Sequence, residues 1–206
     1  MRRSFTRKSG YKDSKLFVLV TEGQVTEHEY FNIIIEHFFA DNSRIHVELL
    51  KRTNEASDPF SLLIELNEFK KKYKLSSQDE LWLICDRDRW TDKMLSLVNQ
   101  QCKQKGFSLA MSNPCFEIWL LLHLIDLKDF DQEAFDSMTV DCKTLVGQLQ
   151  KTLGSYNKRI EHSEPFINGL KRAIIQSKSL DNDDDWPIQK TSRLWKLFES
   201  LSTLID

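Results

Sequence analysis

The chain has 206 residues, with 29 lysines and arginines against 31 aspartates and glutamates, for a formal net charge of −2. That balance excludes a global basic field drawing the protein onto nucleic acid, so any such contact must come from local patches or from a partner. An apolar fraction of 40% and five tryptophans exclude a disordered chain, and this length builds one core with an appendage.

Residues 1–15 are basic and polar and read as a mobile arm. Leu16-Phe17-Val18-Leu19-Val20 predicts a first strand over roughly 16–21, because a continuous apolar run of this length suits a parallel strand buried on both faces. Thr26 and Glu29 have capping-box spacing and open a helix with Tyr30, Phe31, Ile34, Ile35, Phe38 and Phe39 on its apolar side. Ile45, Val47 and Leu49 alternate with His46 and Glu48 in a second strand near 45–50. Asp58-Pro59 starts the next helix, with Asp as cap and Pro in the first turn. Lys70-Lys71-Lys72 closes it against the dipole. A third strand covers 80–85, a helix follows over about 92–105 and stops at Gly106, and a short fourth strand runs from Phe107 to Met111. This alternation predicts an α/β fold with a central parallel four-stranded sheet, right-handed crossovers and flanking helices.

The rhythm then changes. Ser112-Asn113-Pro114-Cys115-Phe116-Glu117 leads into a helix apolar nearly all round, Ile118 to His123, with Asn113 and Pro114 as its cap and first turn. Only helical patterns follow, at about 139–153, 164–179 and 189–204, with Asn182-Asp183-Asp184-Asp185 as an acidic loop. The organisation is therefore an arm (1–15), an α/β domain (16–127) and a helical C-terminal extension packed on it (128–206). No apolar run approaches the ~20 residues of a membrane span. Arg7, Lys8 and Lys12 stand where a secretory signal would be apolar. Cys85, Cys102, Cys115 and Cys142 show no C-x-x-C pair, so neither a zinc site nor a disulfide framework is expected and a cytoplasmic location is.

Chemistry concentrates where two apolar strands run out. Thr21-Glu22-Gly23 follows the first, and Asp86-Arg87-Asp88 follows Leu81-Trp82-Leu83-Ile84-Cys85. Ligands of open α/β sheets bind beyond the carboxyl ends of the strands. Three carboxylates gathered there are costly unless a cation neutralises them, and hard ions such as Mg²⁺ (or Mn²⁺) prefer carboxylate oxygen. Strand alternation is expected to put Asp86 and Asp88 on one side of the strand tip. Glu22 is a candidate metal ligand or general acid/base, and Gly23 permits a tight turn and close backbone approach to a phosphate. Glu117 is a further candidate ligand, one turn into the apolar helix. Asn113, at the helix start, can help present free N–H groups to a phosphate. Lys15, Arg87, Arg89, Tyr156, Lys158 and Arg159 are candidates for phosphate contact, each with an ordinary surface charge or packing role as the plainer reading. A solvated turn for the D-R-D-R stretch and a helix-start carboxylate for Glu22 are the bland alternatives, and they give way once the two signatures are taken together after their apolar strands. His123 reads as a satisfied core histidine and His28 as a helix-packing residue.

Taken together, Glu22-Gly23 with Thr26-Glu27 and Tyr30-Phe31, Trp82, Asp86-Arg87-Asp88, Ser112-Asn113-Pro114-Cys115-Phe116-Glu117-x-Trp119-Leu120-Leu121-x-His123 and Tyr156-x-Lys158 resemble the RloB-like proteins over nearly the whole chain. The resemblance implies a Toprim-like α/β domain, similar to Toprim nucleases, with Glu22, Asp86 and Asp88 as its acidic set. It further implies phage defence of the abortive-infection kind, with an ATPase encoded alongside. Family members tend to carry an N-P-S-T-like segment before the last helix, where this chain has Asp185-Trp186-Pro187-Ile188-Gln189-Lys190. Two functions are weighed on this basis. One is a Mg²⁺-dependent nuclease acting on DNA or RNA, with Arg87 or Lys15 steadying the phosphate. The other is a non-catalytic Toprim-like partner of a defence ATPase that binds nucleic acid or nucleotide. A phosphatase with an aspartate nucleophile is disfavoured, because Asp86-Arg87-Asp88 is followed by Arg89-Trp90 rather than Thr or Val.

Overall fold

A computed structural model describes residues 3–5, 14–51, 58–182, 184 and 187–202. Its main sheet has five strands in the order β3-β2-β5-β6-β7: β2 (Lys15–Thr21), β3 (Ile45–Leu49), β5 (Glu80–Asp86), β6 (Ser108–Asn113) and β7 (Thr191–Ser192). The first four are mutually parallel, as the alternation of strands and helices predicts. Side chains alternate between two cores. Phe17, Leu19, Trp82 and Ile84 face one, while Leu16, Val18, Val20, Leu81, Leu83 and Cys85 face the other. Burial on both faces is the reason these strands carry no polar alternation.

The helices α1 (Thr26–Phe39), α2 (Pro59–Lys72) and α3 (Asp92–Lys105) connect the parallel strands. Asp58 accepts from the backbone N–H groups of Phe60 and Ser61, and Gly106 ends α3 in the left-handed region at φ 69°, both as expected. The expected capping box does not form. Thr26 is already helical, its hydroxyl donates to the Lys158 carbonyl, and Glu29 accepts from Ile160 N–H. Tertiary partners have claimed both side chains.

After β6, α4 (Glu117–Leu124) is buried from Glu117 through His123. Asn113 belongs to β6 rather than capping this helix. A short helical turn at 127–129 and α5 (Gln132–Met138), α6 (Cys142–Leu153), α7 (Glu164–Ser179) and α8 (Leu194–Ser202) complete the chain. α7 crosses α4 so closely that a Cβ at Gly169 would overlap the His123 carbonyl oxygen. The C-terminal region is not purely helical. Its Thr191–Ser192 strand adds to the sheet antiparallel to β6, opposite Asn113 and Ser112. The buried Arg193–Asp181 pair, 2.9 Å, ties this strand to the end of α7.

The amino-terminal arm is in part anchored. Arg3–Ser4 (β1) pairs with Tyr73–Lys74 (β4), and Phe5 packs on Phe69 and Tyr73. Residues 1, 2 and 6–13 of the expected arm, and Asp183, Asp185 and Trp186, lie outside the described residues. Cys115 and Cys142 are paired as a disulfide, against expectation. Among the described residues no helix is long and apolar enough to cross a membrane.

Candidate functional site

The chain leaves β2 toward β3 on one side and leaves β5 toward β6 on the other, while β2 and β5 are neighbours. Their carboxyl ends therefore flank the point where the winding reverses, the place in such sheets where a crevice opens. Glu22 follows β2, and Asp86 is the last residue of β5. The two meet there. Glu22 Oε2 accepts from the backbone N–H of Asp86 at 3.1 Å and from Trp90 Nε1 at 3.1 Å. Glu22 is buried, so two donors hold its carboxylate in one orientation.

Asp88 reaches the site differently from expected. β5 stops at Asp86, so strand alternation does not govern Asp88, which is more open to solvent. Its turn is fastened instead by backbone bonds to the end of β6. Arg87 N–H reaches the Ser112 carbonyl at 2.9 Å, and Asp88 N–H reaches the Pro114 carbonyl at 3.1 Å.

Two further acids enter from helix starts. Glu117, the first residue of α4, is buried, and its Oε1 accepts from Tyr156 Oη at 3.4 Å. Glu27, in the first turn of α1, is equally buried, and its Oε1 accepts from Gly23 N–H at 2.8 Å. A Cβ at Gly23 would overlap this carboxylate. Glycine is needed at 23 to admit Glu27 rather than for a positive φ.

Electrostatics tie the five acids together. Burial, then repulsion from Glu27, Glu22, Glu117 and Asp88, pushes Asp86 well above the ordinary carboxyl range. Burial raises Glu22 against the opposing bonds from Asp86 and Trp90, and burial likewise raises Glu117 against the charge of Lys158. Glu27 is pushed up to about 7, by burial first and by repulsion from Glu117 and Glu22 besides. The donors are all hard oxygens carrying more negative charge than their neighbours offset, which fits a divalent cation such as Mg²⁺. In the present side-chain arrangement the acids lie close enough to repel. Among the described residues, however, no three Asp, Glu, His or Cys side chains close up into a ready-made metal site.

Residues 17–201 match the family described as RloB-like protein. The chain belongs to the RloB-like protein family. The matched span contains every acid of the cluster. Comparison with curated proteins and with solved structures gives no significant match.

The other candidate residues of this RloB-like chain divide in two. Tyr156 and Lys158 do come to the cluster, Tyr156 through its bond to Glu117 and Lys158 as a charge beside it, on a loop where Lys158 adopts φ 68°. Arg87 stands beside the acids, its Nη2 3.1 Å from Asp92, and exposed Arg89 lies 4.0 Å from Asp88. Lys15 does not belong to the site. It begins β2, whose seven residues span about 20 Å, and it pairs with Glu80 at 2.6 Å at the opposite end of the sheet. Asn113 is committed elsewhere, because its amide nitrogen donates to the carbonyls of Pro187, Ile188 and Gln189. His123 is a core residue: its Nδ1 bonds to the Trp119 carbonyl and its Nε2 to Tyr30 Oη.

Sequence reasoning missed Glu27 and Trp90 in this RloB-like site. Glu27 reads as one more acid in a helix first turn, and only the four-residue spacing from Gly23 hints that it folds back. Trp90 sits in a turn among charged residues, with no local mark that its indole turns inward.

Proposed function

We propose that this chain is a Toprim-type, divalent-metal-dependent nuclease acting in antiphage, abortive-infection defence. The observation that carries the reading is the bond between the Glu22 carboxylate and Asp86 N–H, which sets the acids after two neighbouring parallel strands side by side at the sheet's reversal point. Family membership and the likeness of Glu22 and Asp86-x-Asp88 to a Toprim acidic set support it further.

Glu22, Asp86, Asp88 and Glu117 would hold the cation, with Glu27 close behind them. A bound divalent ion would stabilise charge on the scissile phosphate and lower the pKa of an attacking water. Glu22, held by Asp86 N–H and Trp90, is suited to accept or return a proton at the reacting oxygens. Arg87, beside these acids, offers a guanidinium to a phosphate oxygen. Nucleic acid is the substrate in this reading, and an ATPase encoded alongside is the partner.

A second reading is favoured by one observation, that no three potential ligands are gathered among the described residues. In it the domain binds nucleic acid or nucleotide without cleaving it and regulates the ATPase. The test is cleavage of DNA and RNA with Mg²⁺ or Mn²⁺, alone and with the ATPase, by the native protein and by an Asp86→Ala/Asp88→Ala form. Metal-dependent cleavage lost in the double variant supports the nuclease. Equal activity in both forms removes it.

A further inference from the structure

An open groove of about 600 Å³ lies on the outer side of the Asp86-Arg87-Asp88 turn. Its inner wall is Arg87, Asp88 and Trp90, and its outer wall is built from two segments distant in sequence, the start of α6 with Lys143 and the loop before β7 with Lys190. Lys143 lies in none of the sequence motifs, and Lys190 closes the 185–190 segment that departs from the family pattern.

The groove's charges are arranged unequally. Of its acids, Asp92 is taken up by Arg87 at 3.1 Å, and Asp141 caps α6 by accepting from Thr144 N–H at 2.7 Å. Asp88 remains at the end of the groove nearest the acid cluster. On the other wall, exposed Lys143 and half-buried Lys190 project cations, and Lys190 Nζ has only a neutral main-chain acceptor among its resolved bonds, the Val140 carbonyl at 2.9 Å. Arg87 Nε is a buried donor without a hydrogen-bond partner. Burial and the nearby Arg87 charge disfavour the charged form of Lys190, Asp136 and Asp141 offset part of this, and an anion between Lys190 and Arg87 would favour the charged form further. Val140, 56% exposed, adds an apolar rim beside these cations.

We infer that this groove binds the sugar-phosphate backbone of a nucleic-acid strand, with Lys143 and Lys190 holding a phosphate adjacent to the one presented to the acid cluster. The proposal rests on the nuclease reading for its orientation. Its contacts would position without reading sequence, because ammonium groups address phosphate as point charges.

The test is fluorescence anisotropy with 5′-fluorescein-labelled 20-nucleotide single strands of mixed sequence, DNA and RNA, titrated with the full chain in EDTA over a range of NaCl. Lys143→Ala/Lys190→Ala should weaken binding about tenfold and flatten the log–log salt slope by about 0.7, because one neutralised phosphate on a single strand contributes roughly that much. Lys143→Arg/Lys190→Arg should restore both. The control pair Lys128→Ala/Lys151→Ala, exposed and outside the groove, should stay within twofold. If the alanine pair does not fold, Lys143→Gln/Lys190→Gln carries the same expectation. Binding equal to native in the groove variant, equal loss in the control, or no binding of either strand by the native chain overturns the groove. Lysine-dependent binding without carboxylate-dependent cleavage sinks the nuclease reading alone. Carboxylate-dependent cleavage with lysine-independent binding sinks the groove alone.

Discussion

The Glu22 carboxylate accepts the backbone N–H of Asp86 at 3.1 Å, so the residue that ends one strand is held by the residue that follows its neighbour. Sixty-four positions apart in the chain, the two are set side by side by the parallel pairing of β2 with β5. That bond and the one from Trp90 both use Oε2 of Glu22 and leave Oε1 outside them.

Glu22→Gln separates the chemical role of this residue from its structural one. The amide oxygen can still accept from Asp86 N–H and Trp90 Nε1, so only the charge is removed. Cleavage should fall at least about a hundredfold, while the melting temperature stays within a few degrees. A large loss of stability with cleavage retained would assign Glu22 to the fold.

Glu27 contributes to the pH dependence of stability in the same direction as the raised carboxyls of Glu22, Asp86 and Glu117. Its carboxyl titrates near 4.5 in the unfolded chain and near 7 in the folded one, with Glu22 and Glu117 facing it. Between those values the folded state binds more protons, so this contribution is complete below pH 4.5 and is lost as pH rises through 7. The loss amounts to up to about 3 kcal/mol. His123 works in the opposite direction, since its pKa is lowered to about 3 by burial and its contribution grows as pH rises toward 6.5. The two are separated by difference. Glu27→Gln should match the native protein near pH 5 in EDTA and melt up to about 6–12 °C higher at pH 8, as followed by circular dichroism. Equal melting temperatures at both pH values would show that Glu27 carries no buried charge.

Gly23→Ala tests the contact between the first loop and Glu27. The added methyl overlaps the carboxylate, so the end of the Glu27 side chain must swing aside and give up its bond from Gly23 N–H, at a cost of about 1 kcal/mol. Combining it with Glu27→Ala should recover part of that loss, and chemical denaturation of the four forms yields a coupling of about 0.5–3 kcal/mol. Additive losses would mean that the two residues do not touch.

What the sequence made legible follows from what buries it. Leu16–Val20 and Leu81–Cys85 declare themselves because both of their faces are covered, and the acids after them could be placed at one end of the sheet on that basis alone. The same strand polarity already sets Lys15 at the far end, a consequence that grouping it with the phosphate ligands overlooked. β7 could not be read, because two polar residues form a strand only through their partners Ser112 and Asn113, some eighty positions earlier. The Thr26/Glu29 capping box failed for a related reason, as the loop at 158–160 takes both side chains. The Cys115–Cys142 pairing and the two groove lysines are likewise products of tertiary approach, with no local spacing to announce them, while Glu27 is marked only by its four-residue spacing from Gly23.

On the proposed nuclease reading, Glu22, Asp86, Asp88 and Glu117 hold a divalent cation at the ends of β2 and β5. Crystals soaked in MnCl₂ and measured near the manganese absorption edge test it most directly. An anomalous peak within bonding distance of carboxylate oxygens from Asp86 and at least one of the other three is the predicted result. Saturating manganese with no peak among these oxygens would contradict it.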